Sequence, residues 1–485
     1  MDSQRYGLWI DGRDVPTEKT YTVYEKYAGQ PVATVADAAI EDVRAAVAAA
    51  ENAFRRRPQL APYRRYRILL RVAELLQRDK ETLARNLVYE SGMPIRDARQ
   101  EVDRGTQDFI LAAEEAKRIQ GEVLPIEAQP GSENRFAFSI RVPVGVVCAI
   151  TPFNAPLSLL AHKVAPALAA GNTLVVKPPP VAPLTALYLA RLLEEAGLPA
   201  GYYNVVTGST NDVGEWLLAD PRIRLYTFTG SAAVGQHVKA ATGLRRVLLE
   251  LGNNSGSIVC ADADIDRAVP YIVRGSFRKA GQVCVSLQRL YVHRSREEEL
   301  LTKLAPAVQK LVVGDPMDEA TDVGPMISEQ AAARAEAWVQ EAVAAGARVV
   351  IGGTRQGTLF APTILTGVTE DMKVVCEEIF APVLSVIPFD DLDDAIDRLN
   401  NTPYGLQAGV FTESLETALY CARRLEFGGV NINDTSNYRA DNLPYGGIKK
   451  SGIGKEGPKY AIREMTEERI VTINLRHRHY GPSEG

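Results

Sequence analysis

Apolar positions in the first 120 residues recur at helical spacing. Ile40, Val43, Val47 and Phe54 fall on one face, and Leu69, Val72 and Leu76, then Leu83 and Leu87, on another. Intervals of three, four and seven residues are those of an amphipathic helix. Gly92 and Pro94 follow as stop signals. This part of the chain is expected to be helical cover. From Gly145 the period changes. Short runs rich in β-branched residues (146–150, 173–176, 203–206, 225–228 and 247–249) alternate with helical patterns at 157–170, ending at Gly171, and 184–196, ending at Gly197. Strand, helix and strand in this rhythm predict a parallel α/β sheet covered on both faces. A second α/β block is expected from about residue 252 to 449, with strands at 289–292, 348–351 and 383–388 and a long helix at 329–345. Two stretches, 135–142 and 470–475, alternate apolar and polar positions instead. Such half-apolar strands need a partner edge, so they are expected to form a small accessory sheet at a subunit interface.

The 485 residues correspond to about three domains. Lys plus Arg number 55 and Asp plus Glu 60, for a net charge of −5. With no long basic run, this balance argues against nucleic acid or an anionic membrane as partner. No apolar run approaches the roughly 18 residues of a membrane span. The opening Met1-Asp2-Ser3-Gln4-Arg5 carries no apolar leader core. Five scattered cysteines without a C-x-x-C pair speak against a disulfide framework or a cysteine zinc site. Five histidines without an H-x-x-x-H pair speak against a helical metal site, and His477-Arg478-His479 reads as a solvated tail. The expectation is a cytoplasmic protein without a metal.

Five features carry candidate chemistry. Cys284 follows Gly281-Gln282-Val283. A lone cysteine is most often a small core residue, but a Gly-Gln flank suits a turn that a substrate approaches closely. Glu250 ends an apolar strand and precedes Leu251-Gly252. Ligands of open parallel sheets bind at the carboxyl ends of strands, and an acid desolvated there gains the raised pKa of a general base. The alternative is a cap of the following element. Asn154, in Thr151-Pro152-Phe153-Asn154, is a candidate oxyanion donor at another strand end, or a plain turn residue. Thr229-Gly230-Ser231 lies between a strand and a helix, where amides can meet phosphate. It is not G-x-G-x-x-G, so alone it is a weak dinucleotide signal. Lys177 ends a strand before Pro178-Pro179-Pro180 and could meet a ribose or phosphate, or solvent.

In combination these pieces resemble the NAD(P)-dependent aldehyde dehydrogenase superfamily over residues 7 to 475. The matching motifs, in order, are Thr151-Pro152-Phe153-Asn154, the run from Lys163 to Gly171-Asn172, Val176-Lys177-Pro178, Phe228-Thr229-Gly230-Ser231 with Gly235, Glu250-Leu251-Gly252, Gly281-Gln282-x-Cys284, Glu378-Ile379-Phe380-x-Pro382 and Pro444-Tyr445-Gly446-Gly447 with Lys449, Ser451 and Gly452. The resemblance implies a Rossmann-like cofactor domain (1–121 and 145–249), an α/β catalytic domain (250–449) and a small β oligomerisation element (122–144 and 463–485). It implies a homodimer or homotetramer acting on a small aldehyde. Cys284 would be the nucleophile, Asn154 and the Cys284 amide the oxyanion donors, and Glu250 the base that activates water. Thr151, Pro152, Phe153, Lys177, Pro180, Gly208, Gly230, Ser231, Leu251, Gly252, Glu378 and Phe380 would meet the dinucleotide.

Three departures matter. Pro180 stands where many NAD-preferring relatives carry a ribose-binding Glu, which makes NADP+ an expected cofactor beside NAD+. Asn253 replaces the second Gly of Glu-Leu-Gly-Gly, and Phe153 replaces a common Trp. Gly-Gln-Val-Cys together with Arg439, Asp441 and Pro444 resembles the branch of lactaldehyde, non-phosphorylating glyceraldehyde-3-phosphate and phosphonoacetaldehyde dehydrogenases. Arg104, by its place on the tunnel-lining helix of that family, with His162 and Arg439, is expected to offer donors to an anionic substrate. Alternatively Arg104 pairs with Glu101 or Asp108 on its own helix. Two other functions share the fold: a CoA-acylating dehydrogenase, whose relatives generally lack the glutamate, and a silent binding protein.

Overall fold

A computed structural model describes residues 4–56 and 59–475; the His477-Arg478-His479 tail lies outside them. The chain builds two large sheets. The five expected strands of the first all form and run parallel: Val146–Ile150, Thr173–Lys177, Tyr203–Val205, Ile223–Thr229 and Arg246–Glu250. Their spatial order is 246, 223, 146, 173, 203, so adjacent carboxyl ends carry Glu250, Thr229, Ile150 and Lys177. Helix Ser158–Ala170 ends at Gly171, whose φ of 91° is the left-handed cap that glycine takes without a Cβ clash.

The amino-terminal residues are not helical throughout, contrary to the periodicity reading. Strands Leu8–Ile10 and Arg13–Val15 form a hairpin that extends the first sheet antiparallel, through Trp9 opposite Val205. A separate three-stranded sheet joins Gln4–Tyr6, Pro31–Ala36 and Thr20–Tyr24. The expected helices follow as Ile40–Arg55, Pro62–Arg78 and Lys80–Ser91, and a fourth, Ile95–Ala116, carries Arg104.

The second sheet has seven strands. Gly256–Val259 runs between the central strand Arg289–His293 and Gln407–Phe411, all parallel. Its own apolar core packs beneath it, separate from the core of the first sheet. Strand Gly452–Ile453 then returns to the first sheet beside Glu250. The two alternating stretches do pair: Arg135–Pro143 runs antiparallel to Thr466–Asn474 over nine residue pairs, with Val123–Leu124 on its other side. Ala137 and Ser139 face inward, whereas Phe136, Ile140, Ile470, Ile473 and Val123 are exposed. Among the described residues no helix is long and apolar enough to cross a membrane.

Candidate active site

Cys284 follows a short turn, Arg278–Gly281, in which Lys279, Ala280 and Gly281 are all left-handed, at φ 53°, 53° and 68°. For Lys279 and Ala280 that conformation costs about 1–2 kcal/mol per residue, so neighbouring contacts must hold it. A Cβ at Gly281 would fall 2.1 Å from the Ala381 carbonyl, which excludes any other residue there. The Lys279 ammonium is buried against Glu101, 2.9 Å away, and the same carboxylate accepts from Ser158 N–H and Oγ at 3.0 and 2.9 Å. One acid on the long helix thus fixes both the turn before Cys284 and the start of the helix after Asn154.

The Cys284 thiol is half-buried at the wall of a cavity of about 630 Å³, with Asn154, Arg104, Arg439 and Tyr445 on the same wall. Its Sγ lies 3.2 Å from the Tyr445 hydroxyl. Burial pushes the thiol up to about 11, against the Tyr445 hydrogen bond and the Arg439 charge. Asn154 donates from Nδ2 to the Gln282 carbonyl at 2.9 Å. That bond orients the amide and leaves its second N–H to give. Glu250 is buried, and its Oε2 has no hydrogen-bond partner. Burial raises its carboxyl well above the ordinary range, Glu456 adds to the rise, and Arg439, Lys163 and Lys455 oppose it. A Cβ at Gly446 would sit 2.9 Å from Glu250 Oε1, so the Pro444-Tyr445-Gly446-Gly447 loop leaves room for the acid. Ser451 locks the segment, accepting at its carbonyl from Leu251 N–H (2.9 Å) and donating from Oγ to the Gly252 carbonyl (2.8 Å).

The residues expected to meet the dinucleotide gather at the first sheet's carboxyl edge. Thr151 N–H donates to the Lys177 carbonyl at 3.2 Å, tying two strand ends together. Burial pulls the Lys177 ammonium below its usual range. Ser231 caps helix Ala232–Thr242. Phe153 and Phe380 meet edge to face at 6.0 Å, and Phe380 is left-handed at φ 51°. A Cβ at Gly230 would fall 2.5 Å from the Phe228 ring and one at Gly252 2.4 Å from the Glu378 carboxylate, so a side chain at either position would displace its neighbour. Gly208 has Val213 at 2.5 Å from such a Cβ. The backbone N–H of residue 253 donates to Glu378 Oε1 at 2.8 Å, and the Asn253 side-chain amide adds a bond to the Ser255 hydroxyl. Burial pushes Glu378 up to about 7. Thr229 Oγ1 and Asn253 Oδ1 are buried without partners at these strand ends. Orphaned polar atoms, a bare glycine edge and a capped helix start fit a nicotinamide dinucleotide.

Pro180, half-buried, lies at a second cavity of about 640 Å³ shared with Lys26 and Ser209. Of the three expected substrate donors, two reach the Cys284 cavity and one does not. Arg104 faces the cavity but pairs with Asp441, neither with Glu101 nor with Asp108. Arg439 faces it too, paired with Glu456 at 3.0 Å and stacked 3.7 Å over the Tyr445 ring. His162 does not reach the wall: its side chain is wholly buried between Asp108 (3.3 Å) and Asp441 (3.2 Å). Two site residues escaped the sequence reading. Tyr445 was visible only inside a motif, and Arg274 only as one of several helix arginines.

Residues 9–471 match the family model described as the aldehyde dehydrogenase family. The chain is 50% identical to a 3-sulfolactaldehyde dehydrogenase of Priestia megaterium over 97% of its own length and 98% of the relative's. It is 38% identical to the crystal structure of aldehyde dehydrogenase 21 from Physcomitrella patens in complex with the product succinate, with a TM-score of 0.95 over 98% and 99% of the two chains. A glyceraldehyde-3-phosphate dehydrogenase from Methanocaldococcus jannaschii complexed with NADP is 39% identical, with a TM-score of 0.90 over 94% and 100%. By motif, fold and similarity along nearly its whole length, the chain belongs to the aldehyde dehydrogenase family and is an NAD(P)-dependent aldehyde dehydrogenase.

Proposed function

We propose that this enzyme oxidises a short aldehyde bearing an anionic group to the acid, through a covalent bond to Cys284. The observation that carries the reading is the shared wall: the Cys284 thiol and the Asn154 amide face one cavity, with the buried Glu250 close enough to bear on the thiol. The Cys284 thiolate attacks the aldehyde carbon, a C–S bond forms, and the negative charge moves to the carbonyl oxygen. Asn154 Nδ2 and the Cys284 N–H receive that charge, a contribution of about 10²- to 10³-fold per donor. A bound nicotinamide dinucleotide supplies the acceptor for the hydride that leaves this carbon. Glu250 then takes a proton from water as its oxygen attacks the thioester, the C–S bond breaks, and the acid departs. A carboxyl raised by burial suits that task near neutral pH. Its presence favours water over CoA as the group that resolves the thioester.

Three finer assignments belong to the same reading. Arg104, Arg274, Arg278, Lys279 and Arg439 outnumber Asp103 and Asp434 on the cavity wall, and a 50% identical relative is named for a sulfonated aldehyde; both support an anionic substrate. The absence of a carboxylate at Pro180 supports NADP+ at least beside NAD+. The first sheet would hold the dinucleotide and the second the nucleophile. The exposed apolar side of the three-stranded sheet would join subunits into a homodimer or homotetramer, in the cytoplasm.

The test is Cys284→Ala. It should lower oxidation of every accepted aldehyde by roughly a thousandfold or more, with dinucleotide binding, read by fluorescence, close to the parent's. Activity within about tenfold of the parent, about 1.4 kcal/mol in barrier, overturns the covalent reading.

A further inference from the structure

Five cationic side chains line the cavity that holds Cys284, and four of them are already matched to carboxylates. Arg104 pairs with Asp441 at 2.6 Å, Arg439 with Glu456 at 3.0 Å, Lys279 with Glu101 at 2.9 Å and Arg278 with Asp97 at 2.8 Å. In each pair the carboxylate offsets the cation's charge, so the paired group attracts an anion less strongly than an unpaired one does. Arg274 is the exception. It sits in the last turn of helix Ile265–Phe277, one turn before Arg278, with its side chain exposed at the cavity wall. Among the described residues its guanidinium makes no hydrogen bond and no ion pair within 4.0 Å. Asp434, on the same wall, attracts it from farther off, and the Asp434 carboxylate is engaged with the Thr435 N–H at 2.7 Å.

We propose that Arg274 is the specificity-determining residue for the anionic end of the substrate. Its guanidinium keeps all five N–H donors in a planar fork, matched to the oxygens of a sulfonate or carboxylate. Tyr271 and Asn437, which share the wall, give the remaining rim an aromatic face and an amide. The free cation also steers: an exposed positive charge on the cavity wall raises the local concentration of an anion, an effect that salt screens. The proposal rests on the anionic-aldehyde reading above and replaces Arg104 with Arg274 as the residue that carries it.

The experiment compares kcat/KM for three three-carbon aldehydes, one with a sulfonate at C3, one with a carboxylate and one, propanal, with neither. It uses the parent, Arg274→Gln, Arg274→Lys and the control Arg267→Gln, an exposed arginine near the other end of the same helix. The expected result is that Arg274→Gln lowers the anionic-to-neutral ratio at least tenfold, chiefly through KM. Arg274→Lys should restore part of the ratio, and Arg267→Gln should keep it. In the parent, KM for the anionic aldehydes should rise between 20 and 200 mM salt, while that for propanal stays flat. A parent that prefers anions, with a ratio unmoved by Arg274→Gln, overturns the role of Arg274 alone. A parent that uses all three aldehydes equally overturns the anionic reading and the proposal with it.

Discussion

Arg104 and Asp441 form a closed fork, Nη2 donating to Oδ1 at 2.6 Å and Nε to Oδ2 at 3.3 Å. The pair ties the long helix to the loop that carries Arg439 and, six residues on, Tyr445, whose hydroxyl touches Cys284 Sγ. Arg104→Leu should therefore act on positioning and not on charge recognition. It should lower kcat/KM for anionic and neutral aldehydes by similar factors, and reduce unfolding free energy in urea by about 1.5–3 kcal/mol, the range of a hydrogen bond to a charged group. A selective loss on anionic substrates would return the recognition role to Arg104.

Glu250→Gln separates the two halves of the reaction. Attack on the aldehyde and hydride loss precede the water step, so the variant should give a stoichiometric burst of reduced nicotinamide and then turn over slowly. The pH dependence follows from the shifts. Burial raises the Glu250 carboxyl, and the form that accepts a proton is the carboxylate. Parent turnover should therefore rise as pH increases through the neutral range, and that limb should be absent in Glu250→Gln. The Cys284 thiol, pushed up to about 11, must also lose its proton, so the pre-steady-state rate of nicotinamide reduction should climb with pH in both proteins. Loss of the burst in the variant would show that Glu250 acts earlier, on the thiol itself.

Pro180 leaves the cavity it shares with Lys26 without a carboxylate from its own position. A glutamate there would accept from ribose hydroxyls and repel a 2′-phosphate. Pro180→Glu should shift the NADP+-to-NAD+ ratio of kcat/KM toward NAD+ by tenfold or more, about 1.4 kcal/mol. The parent should use NADP+ at least comparably. A parent that favours NAD+ by more than tenfold contradicts the reading.

What could be read from the chain depended on whether the signal was local. The strand ends at Glu250, Lys177 and Thr229 were legible because apolar runs stop there against Gly and Pro. The amino-terminal hairpin was missed, although Asp11-Gly12 is a two-residue turn of the kind that favours positive φ, here 50° and 75°. Its strands have three residues each, and Leu8, Trp9 and Ile10 are all buried, so no alternation exists to be seen. His162 read as a pocket donor because sequence places it on the right helix but does not say which side it faces. Sequence singled out Arg104 by its helix and passed over Arg274, because the partner that occupies Arg104, Asp441, lies 337 residues away along the chain.

The Glu101–Lys279 pair offers a test of what holds the nucleophile's turn. Burial alone would raise the Glu101 carboxyl, but Lys279 and Arg104 outweigh it and hold the group at about 2. A folded-state value below the ordinary one means that this contribution to stability is complete above the usual carboxylate range and fades as pH falls toward 2. Glu101→Gln should remove 3 to 5 kcal/mol, roughly the cost of leaving a buried partner charge uncompensated, and should flatten the fall in stability between pH 5 and pH 2 relative to the parent. The comparison isolates Glu101 from buried carboxyls shifted the other way, such as Glu90 and Asp108, because those are common to both proteins. The variant should also lose the firm geometry of Lys279 and Ala280, which shows as a smaller fraction of protein giving a burst at saturating aldehyde. Unchanged urea midpoint, acid slope and burst amplitude would mean that the left-handed turn is held by something other than this ion pair.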